Sequence, residues 1–404
     1  MQKIRIMHHN VQSLSNKIEF IEAALQCDLR QIDVFCFTEH WLSQNDINTL
    51  QIPSFYLAGS YCRARESNKG PAYGGSCIYI RNYIDSTFLS EFNLYAVEKV
   101  FETTVVHLTT LKIILLCIYR PPTKRASDYF TFLENLEIIL NKISKLSFKS
   151  IVVCGDFNID FLSESHEKEK FLNLLHSFNL DITVNVPTRN TLKSQKALDQ
   201  IIINKTTTTY EIITNNLGYS DHDAQILTIT KNINTDTINN TRMCRAFTKV
   251  NIKLFTDYLM KESWDEVYNA VDTNEKYNLF FSKLSIHFNA CFPLKKRKLN
   301  ISSKSNTWIT QGIRTSCKNK RTLYFISKHH NVSPGFHIYF REYKRILRKV
   351  IVQAKIMKNS QDILSASNKT KAMWDIVKNT TTSSRYLVEN VILKDNERET
   401  SNPE

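Results

Sequence analysis

The stretch Ile151-Val152-Val153-Cys154-Gly155-Asp156-Phe157-Asn158 decides how this chain is read. Successive apolar, β-prone residues with no polar alternation predict a strand buried on both faces. The strand stops abruptly at a Gly, an Asp and an Asn. A carboxylate set just past such a strand leaves the core at the sheet's edge, where layered α/β proteins build their sites. Taken alone, Gly-Asp and Asn are equally ordinary turn residues. The same arrangement recurs elsewhere in the chain, and the recurrence gives it weight.

Upstream, residues 3–9 read as a strand that runs into Asn10-Val11-Gln12-Ser13-Leu14. Ile18, Ile21 and Leu25 follow at helical spacing, with Ser15 and Asn16 as candidate caps. A second buried strand, 34–37, delivers Thr38-Glu39-His40-Trp41-Leu42. From 73 to 106 the helical period disappears: Gly74-Gly75 precedes Ser76-Cys77-Ile78-Tyr79-Ile80, and a further strand-like run covers 97–106. Residues 113–118 form another buried strand ending in Tyr119-Arg120-Pro121-Pro122, whose prolines end any ladder pairing. Ser127 opens a helix with Phe130, Leu133, Leu136, Leu140 and Ile143 on one stripe. Downstream of the opening stretch lie a helix around Phe171 to Phe178, a strand beginning Leu198-Asp199, and Ser220-Asp221-His222-Asp223 at the head of a last strand. Strands and helices alternate, yet several strand pairs lack a helix between them. The pattern predicts two mixed sheets packed face to face with helices outside.

At 404 residues the chain holds more than one unit and a sizeable core. No apolar run approaches the roughly 20 residues of a membrane helix, and the N-terminus lacks the layout of a secretory signal. The nine cysteines are odd in number and form no C-x-x-C pair or zinc spacing. Cys36, Cys77, Cys117 and Cys154 fall inside apolar runs and read as buried thiols of a reducing, intracellular protein. The net charge of +14 is uneven: residues 1–230 hold 22 Lys and Arg against 24 Asp and Glu, whereas 231–404 hold 31 against 15. A near-neutral unit joined to a basic one predicts contact with a polyanion; a solvated helical surface is the plainer alternative.

Asn10, Glu39, Asp156, Asn158, Asp199, Asp221 and His222 all stand at strand ends. Carboxylates and amide oxygens suit a hard divalent cation, and such a cation polarises phosphoryl oxygens. A carboxylate there can orient or deprotonate water, an imidazole fixed by a second acid can donate to phosphate, and Tyr119 and Arg120 would add donors to the developing charge. Hydrolysis of a phosphate ester is the consistent outcome. Singly, each residue also fits a cap, a turn or a solvated surface; their joint order is what counts.

In that order the motifs Asn10-Val11-Gln12-Ser13-Leu14, Thr38-Glu39, Tyr119-Arg120-Pro121, Gly155-Asp156-Phe157-Asn158, Leu198-Asp199 and Ser220-Asp221-His222 resemble those of the endonuclease/exonuclease/phosphatase superfamily. Within it they look most like the apurinic-type endonuclease domain of non-LTR retrotransposons, over residues 1–230. The resemblance implies a four-layer α/β sandwich and an Mg²⁺ ion, with Mn²⁺ as an alternative. Glu39 would be the principal metal ligand, with Asn10 and Asp221 nearby. Asp156 would position the attacking water, and Asn158, Arg120 and Gln12 would meet substrate phosphate. His222 paired with Asp199, together with Tyr119, would stabilise the phosphoryl oxygens. Gln12 departs from the Asn or Asp of many relatives. The implied activity is DNA nicking that leaves a 3′-hydroxyl for target-primed reverse transcription, in the nucleus. A phosphatase or phosphodiesterase of the same fold, a repair enzyme for abasic sites and an idle nucleic-acid-binding remnant are the competing readings.

Residues 231–245 read as a polar linker. Residues 246–404 read as a mostly helical basic connector, with helices over 255–267, 277–288, 308–325 and 336–357. Pro293-Leu294-Lys295-Lys296-Arg297-Lys298 resembles a nuclear-import cluster. Arg341, Lys344, Arg345, Arg348, Lys349, Lys355 and Lys358, interleaved with Tyr339 and Tyr343, suit phosphate contact, including that of an element RNA. Trp308-Ile309-Thr310 and Gly312-Ile313-Arg314 resemble the segment that joins endonuclease to reverse transcriptase. No adjacent Asp-Asp pair occurs in the chain, so the polymerase is expected to be missing and the element truncated.

Overall fold

The computed structural model describes residues 2–64, 72–123, 125–146, 148, 150–191, 194–204, 209–231, 241–298, 308–381, 393–395 and 398–400. Most of the expected 231–245 linker, and the centre of the loop between Tyr61 and Tyr73, lie outside them. In chain order the first elements are β1 (Gln2–Asn10), α1 (Ile18–Ala24), β2 (Val34–Thr38), α2 (Gln44–Thr49), β3 (Phe55–Tyr61), β4 (Ser76–Arg81), β5 (Thr87–Phe88), β6 (Glu102–Leu108) and β7 (Ile113–Tyr119). Then come α3 (Ala126–Ile143), β8 (Ser150–Asp156), α4 (His166–Ser177), β9 (Leu180–Ile182), β10 (Arg189–Asn190), β11 (Gln195–Lys196), β12 (Asp199–Asn204), β13 (Thr209–Asn215) and β14 (Ala224–Lys231).

Two six-stranded mixed sheets result, ordered β13-β14-β1-β2-β4-β3 and β5-β6-β7-β8-β12-β9. Each holds one parallel pair, β1 with β2 and β7 with β8. Each parallel pair is joined through a helix, α1 or α3, as a parallel crossover requires. Along each strand alternate residues face the helices. Met7, Phe35, Phe37 and Tyr79 pack with Ile21, Leu25 and Ile47 of α1 and α2. Ile114, Leu116, Ile118, Ile151 and Val153 pack with Phe132, Leu136, Phe171 and Leu175 of α3 and α4. The intervening residues, among them Cys36, Leu115, Cys117, Val152 and Cys154, are buried on the opposite faces, between the sheets. The architecture is the expected four-layer α/β sandwich, helices–sheet–sheet–helices, followed by a helical C-terminal region. The thiols read as buried are free and buried.

Two local readings are corrected. The buried stripe of α3 is Tyr129, Phe132, Leu136, Ile139, Leu140 and Ile143, and Phe130 is 47% exposed under the Lys170 ammonium. Leu136, Leu140 and Ile143 are common to both stripes, and Tyr129 and Phe132 take the places expected of Phe130 and Leu133. The run 97–106 is a strand only from Glu102; before it the backbone makes a 3₁₀ turn over Ser90–Tyr95 and a Val97–Phe101 bridge.

Past β14 the chain continues as β15 (Thr241–Cys244), α5 (Lys249–Lys261), α6 (Asp265–Asn269), α7 (Thr273–Cys291), β16 (Lys295–Lys298), α8 (Gln311–His329), α9 (Pro334–Ser365) and α10 (Lys369–Thr381). Residues 246–404 divide between two compact units. One comprises 1–233 with 304–404, the other 234–303. In the smaller unit Phe247, Phe255, Phe288 and Phe292 pack ring against ring, and Lys283 bridges Glu262 and Glu266. In the larger unit Ile309, Ile313, Leu347 and Ile351 pack on Ala23 of α1. Arg321–Asp28, Arg348–Glu19 and Lys355–Glu22 ion pairs flank that contact. Among the described residues no helix is long and apolar enough to cross a membrane.

Gly155 shows how tightly the sheets constrain sequence. It pairs with Ile118 in the parallel ladder, and a Cβ there would lie 1.9 Å from the Ile118 carbonyl oxygen. Gly312, by contrast, has only Thr310 Oγ1 within contact, at 3.7 Å. In urea denaturation Gly155→Ala should lose about 3 kcal/mol, the upper end of overpacking costs. Gly312→Ala should be neutral or stabilise by up to about 1 kcal/mol.

Candidate active site at the strand ends

The two parallel pairs end on the same side of the sandwich. In register, Asn10 pairs with Thr38 and Tyr119 with Asp156, while antiparallel β12 starts with Asp199 opposite Asp156. The ends of β1, β2, β7 and β8 therefore meet the beginnings of β12 and β14, and the polar residues converge there. Asn10, Tyr119, Asp156, Asp199 and His222 are all buried, and Glu39, Asn158 and Asp221 are half-buried.

Asn10 sits between the sheets. Its Nδ2 donates to Glu39 Oε1 and to Asp156 Oδ2, each at 2.8 Å. Glu39 Oε2 accepts from Trp41 Nε1 at 3.1 Å, and Asp156 Oδ1 accepts from the Asn158 backbone N–H at 3.1 Å. Backbone strain gathers in the same loops: Gln12, Ser13, Glu39, Trp41 and Asn158 all have φ between 43° and 80°. None is a glycine, and such conformations concentrate where function over-determines the backbone.

On the other flank His222 Nδ1 donates to Asp199 Oδ2 at 2.8 Å, and Thr188 Oγ1 donates to the same oxygen at 2.6 Å. His9 Nε2 donates to the His222 carbonyl at 3.0 Å and Ser220 Oγ to the Asn10 carbonyl at 2.6 Å, which ties the Ser220–His222 loop to β1. Asp221 Oδ2 accepts from Arg189 Nε and from its terminal nitrogen, both at 2.9 Å. Burial, reinforced by Asp199 and Glu39, pushes the Asp156 carboxyl up to about 7. Burial opposes charge on His222 as well, but Asp199, Asp156 and Asp221 outweigh it and push the imidazole up to about 10. Burial keeps His9 neutral, down at about 3. Burial also raises the Tyr119 phenol, with Glu39 and Asp156 adding to the effect.

In this centre Asn10 Oδ1, Asp199 Oδ1 and Asp221 Oδ1 are buried acceptors without a hydrogen-bond donor among the described residues. Oxygen-only orphans beside a carboxylate pair fit a hard divalent cation. Asp156, Asp199 and His222 also offer atoms within 4.8 Å of one another. Within that group His222 Nδ1 is already committed to Asp199 Oδ2 at 2.8 Å. The donor set around Glu39 and Asn10 is the better fit.

The structure corrects one expected role. Arg120 does not face this centre. Adjacent strand residues point to opposite faces, so with Tyr119 facing inward Arg120 turns toward α3 and α4. It is buried, donates to the Phe157 carbonyl at 2.8 Å, pairs with Glu167 at 3.4 Å and stacks on Tyr129 at 5.0 Å. It braces the Asp156–Asn158 loop from behind, and its own carbonyl accepts from Asn158 Nδ2 at 2.8 Å. Gln12 lies half-buried in the strained loop after β1. Sequence reading missed Thr188, Arg189, His9 and the pair Arg63–Glu102, whose buried carboxylate accepts from Arg63 Nε at 2.5 Å and from the Gly75 N–H at 2.6 Å. Glu102 and His9 carried a usable signal, being polar residues inside apolar strand runs. Thr188 and Arg189 carried none, because they sit in the polar run Thr188-Arg189-Asn190-Thr191, which reads as an ordinary turn.

In the metal-free protein the His222 ring should remain protonated from pH 5.5 to 8.5. A base raised by an anionic partner contributes stability in full below its ordinary value near 6.5 and loses it only as pH rises through about 10. Asp199→Asn should bring the midpoint down to the ordinary imidazole range or below, read from the His222 Cε1–H NMR shift. A His222 that titrates near 6.5 in the unmodified protein would contradict the pairing.

A family profile described as the Endonuclease/Exonuclease/phosphatase family matches residues 7–222. A comparison with curated proteins found no match. Solved structures with a similar fold include the endonuclease domain of TRAS1, a telomere-specific non-LTR retrotransposon, at 14% identity and a TM-score of 0.42, covering 56% of this chain and 98% of that one. A 3′-5′ exonuclease from Neisseria meningitidis is 15% identical, with a TM-score of 0.43 and coverage of 55% and 98%. The AP endonuclease of Leishmania major is 11% identical, with a TM-score of 0.44 and coverage of 57% and 88%. With more than half of its length matched by the profile, and the fold and polar centre described above, this chain belongs to the Endonuclease/Exonuclease/phosphatase family.

Proposed function

We propose that this protein is an Mg²⁺-dependent endonuclease that hydrolyses a phosphodiester bond of DNA, nicking one strand and leaving a 3′-hydroxyl. The observation that carries the reading is the polar centre itself. Asn10 holds Glu39 and Asp156 together at 2.8 Å each, opposite a His222 imidazolium held by Asp199. Glu39 and Asn10 Oδ1 would hold the ion, with Asp221 Oδ1 nearby. Bound there, a divalent cation polarises the phosphoryl group and stabilises the leaving oxyanion.

The remaining steps belong to the chain's own groups. Asp156, raised by burial to about 7, is a carboxylate basic enough to take a proton from water near neutral pH, and its two oxygens are fixed by Asn10 and Asn158. His222 has Nδ1 committed to Asp199, which leaves Nε2 to donate to a phosphoryl oxygen as charge develops. Tyr119, whose phenol stays protonated, adds a second donor. Asn158 would touch the same phosphate. A 3′-hydroxyl left by such a cut suits priming of reverse transcription in an intact retroelement, and a chromosomal DNA target would place the enzyme in the nucleus.

The full-length chain should nick supercoiled plasmid with Mg²⁺ and cease in EDTA. Asp156→Ala and His222→Ala should each lower the rate by about 10²–10⁴-fold, and the nicked product should be extended by a DNA polymerase without end repair. A folded, Mg²⁺-binding protein that leaves plasmid intact but releases phosphate from monoesters would overturn the endonuclease in favour of a phosphatase.

A further inference from the structure

Helices α8 and α9 meet α1 around a cleft of about 450 Å³ that contains no acidic residue. Lys17 comes from the turn before α1, Lys320 from α8, and Lys344, Arg345, Arg348 and Lys349 from α9. Arg345 and Arg348 have carboxylate partners in Glu342 and Glu19. Lys17, Lys320, Lys344 and Lys349 have no ion pair among the described residues. Lys320 is 3% exposed, and its ammonium lies 3.4 Å from the Phe20 ring centroid and 5.6 Å from that of Tyr219. Burial, then Lys17 and Lys344, depress its affinity for a proton. Lys17, Lys344 and Lys349, without carboxylate partners around one cleft, repel one another, a cost that a bound anion lowers.

Two contacts tie the cleft to the catalytic centre. Gly218 and Tyr219 line it, and the same loop runs directly into Ser220-Asp221-His222. Tyr324 of α8 donates from its hydroxyl to the Ser220 carbonyl, fastening the cleft wall to that loop. On the other side Asn16 lines both the cleft and a neighbouring hollow formed with Ser13, Trp41 and Leu42, and Trp41 donates to Glu39. A polyanion seated at Glu39 and His222 therefore has an adjacent run of cationic side chains to follow.

We propose that this cleft binds backbone phosphates of the DNA that the catalytic centre cuts, so that α8 and α9 form part of the substrate-binding surface. The proposal rests on the endonuclease reading, and its test separates the two. Binding of a duplex oligonucleotide to the full-length chain is followed by fluorescence anisotropy in EDTA, from 50 to 200 mM salt, where no cleavage occurs. Lys344 and Lys349 are exposed, so a Lys344→Glu/Lys349→Glu variant should keep its fold and melting temperature. It should bind DNA at least tenfold more weakly at 50 mM salt and lose about 2 from the slope of log affinity against log salt, as two lost phosphate contacts require. In nicking assays it should raise KM and leave kcat within about twofold. A control pair on α3 and the turn after it, Lys142→Glu/Lys145→Glu, should change affinity by less than twofold. Unchanged affinity and slope in the cleft variant would overturn the proposal, as would an equal loss in the control. A loss of RNA binding with DNA binding intact would assign the cleft to RNA and also overturn it. A protein that binds DNA through the cleft but never nicks it removes the endonuclease reading alone.

Discussion

Everything in the polar centre depends on the Asn10 side chain, which links two carboxylates delivered by different sheets. Glu39 follows β2 of one sheet and Asp156 ends β8 of the other, and both bind the same amide nitrogen at 2.8 Å. The two acceptor oxygens are thus at most about 5.6 Å apart, twice that bond length. At an effective dielectric of 20, two full charges at that distance repel by roughly 3 kcal/mol. Two hydrogen bonds to charged acceptors contribute about 1.5–3 kcal/mol each. The amide therefore about offsets the repulsion without exceeding it by much, which leaves a centre poised to accept a cation. Asn10 Oδ1, still without a donor, faces the same need.

That balance requires the sheets to keep their register. A slip of one residue would turn Asn10 and Asp156 toward the helices and bring His9 and Gly155 inward. The packing opposes such a slip at Gly155, where only a hydrogen fits beneath the Ile118 carbonyl. Strained φ angles at Gln12, Ser13, Glu39, Trp41 and Asn158 cost roughly 1–3 kcal/mol apiece. Their cost is borne by the surrounding layers, where Phe35, Phe37, Phe132, Phe157 and Phe171 are fully buried. The apolar core and the polar centre are in this sense one construction: the core supplies the free energy that holds strained, mutually repelling groups in place.

Much of this was legible in the sequence because its signals are local. Buried strands announce themselves as apolar runs, and polar residues at their ends mark the edge from which they project. Asp156, Asp199 and His222 were found that way, and the structure brings them together. What failed was anything set by direction or by distant partners. Arg120 sits beside Tyr119 in sequence, yet strand alternation sends it to the opposite face, a fact available from periodicity alone. Arg189 is a surface arginine in a loop until β10 brings it against Asp221. The α8–α9 pair read as a separate connector because helical periodicity shows an apolar face without showing what covers it. Here the cover is α1 of the sandwich.

The placement of α8 changes what the Ser220–His222 loop is made of. Gly218 has φ +70°, and a Cβ there would approach the Arg321 backbone at 2.8 Å. The turn that feeds Ser220-Asp221-His222 is therefore shaped against a helix more than 90 residues downstream. Arg321 in turn pairs with Asp28, and Tyr324 grips the Ser220 carbonyl. Ser220 holds the Asn10 carbonyl through its hydroxyl. An unbroken series of contacts thus runs from α8 through the His222 loop to the residue that joins the two sheets. Helix α8 is not appended to a finished domain; it completes the support of the sandwich's polar edge.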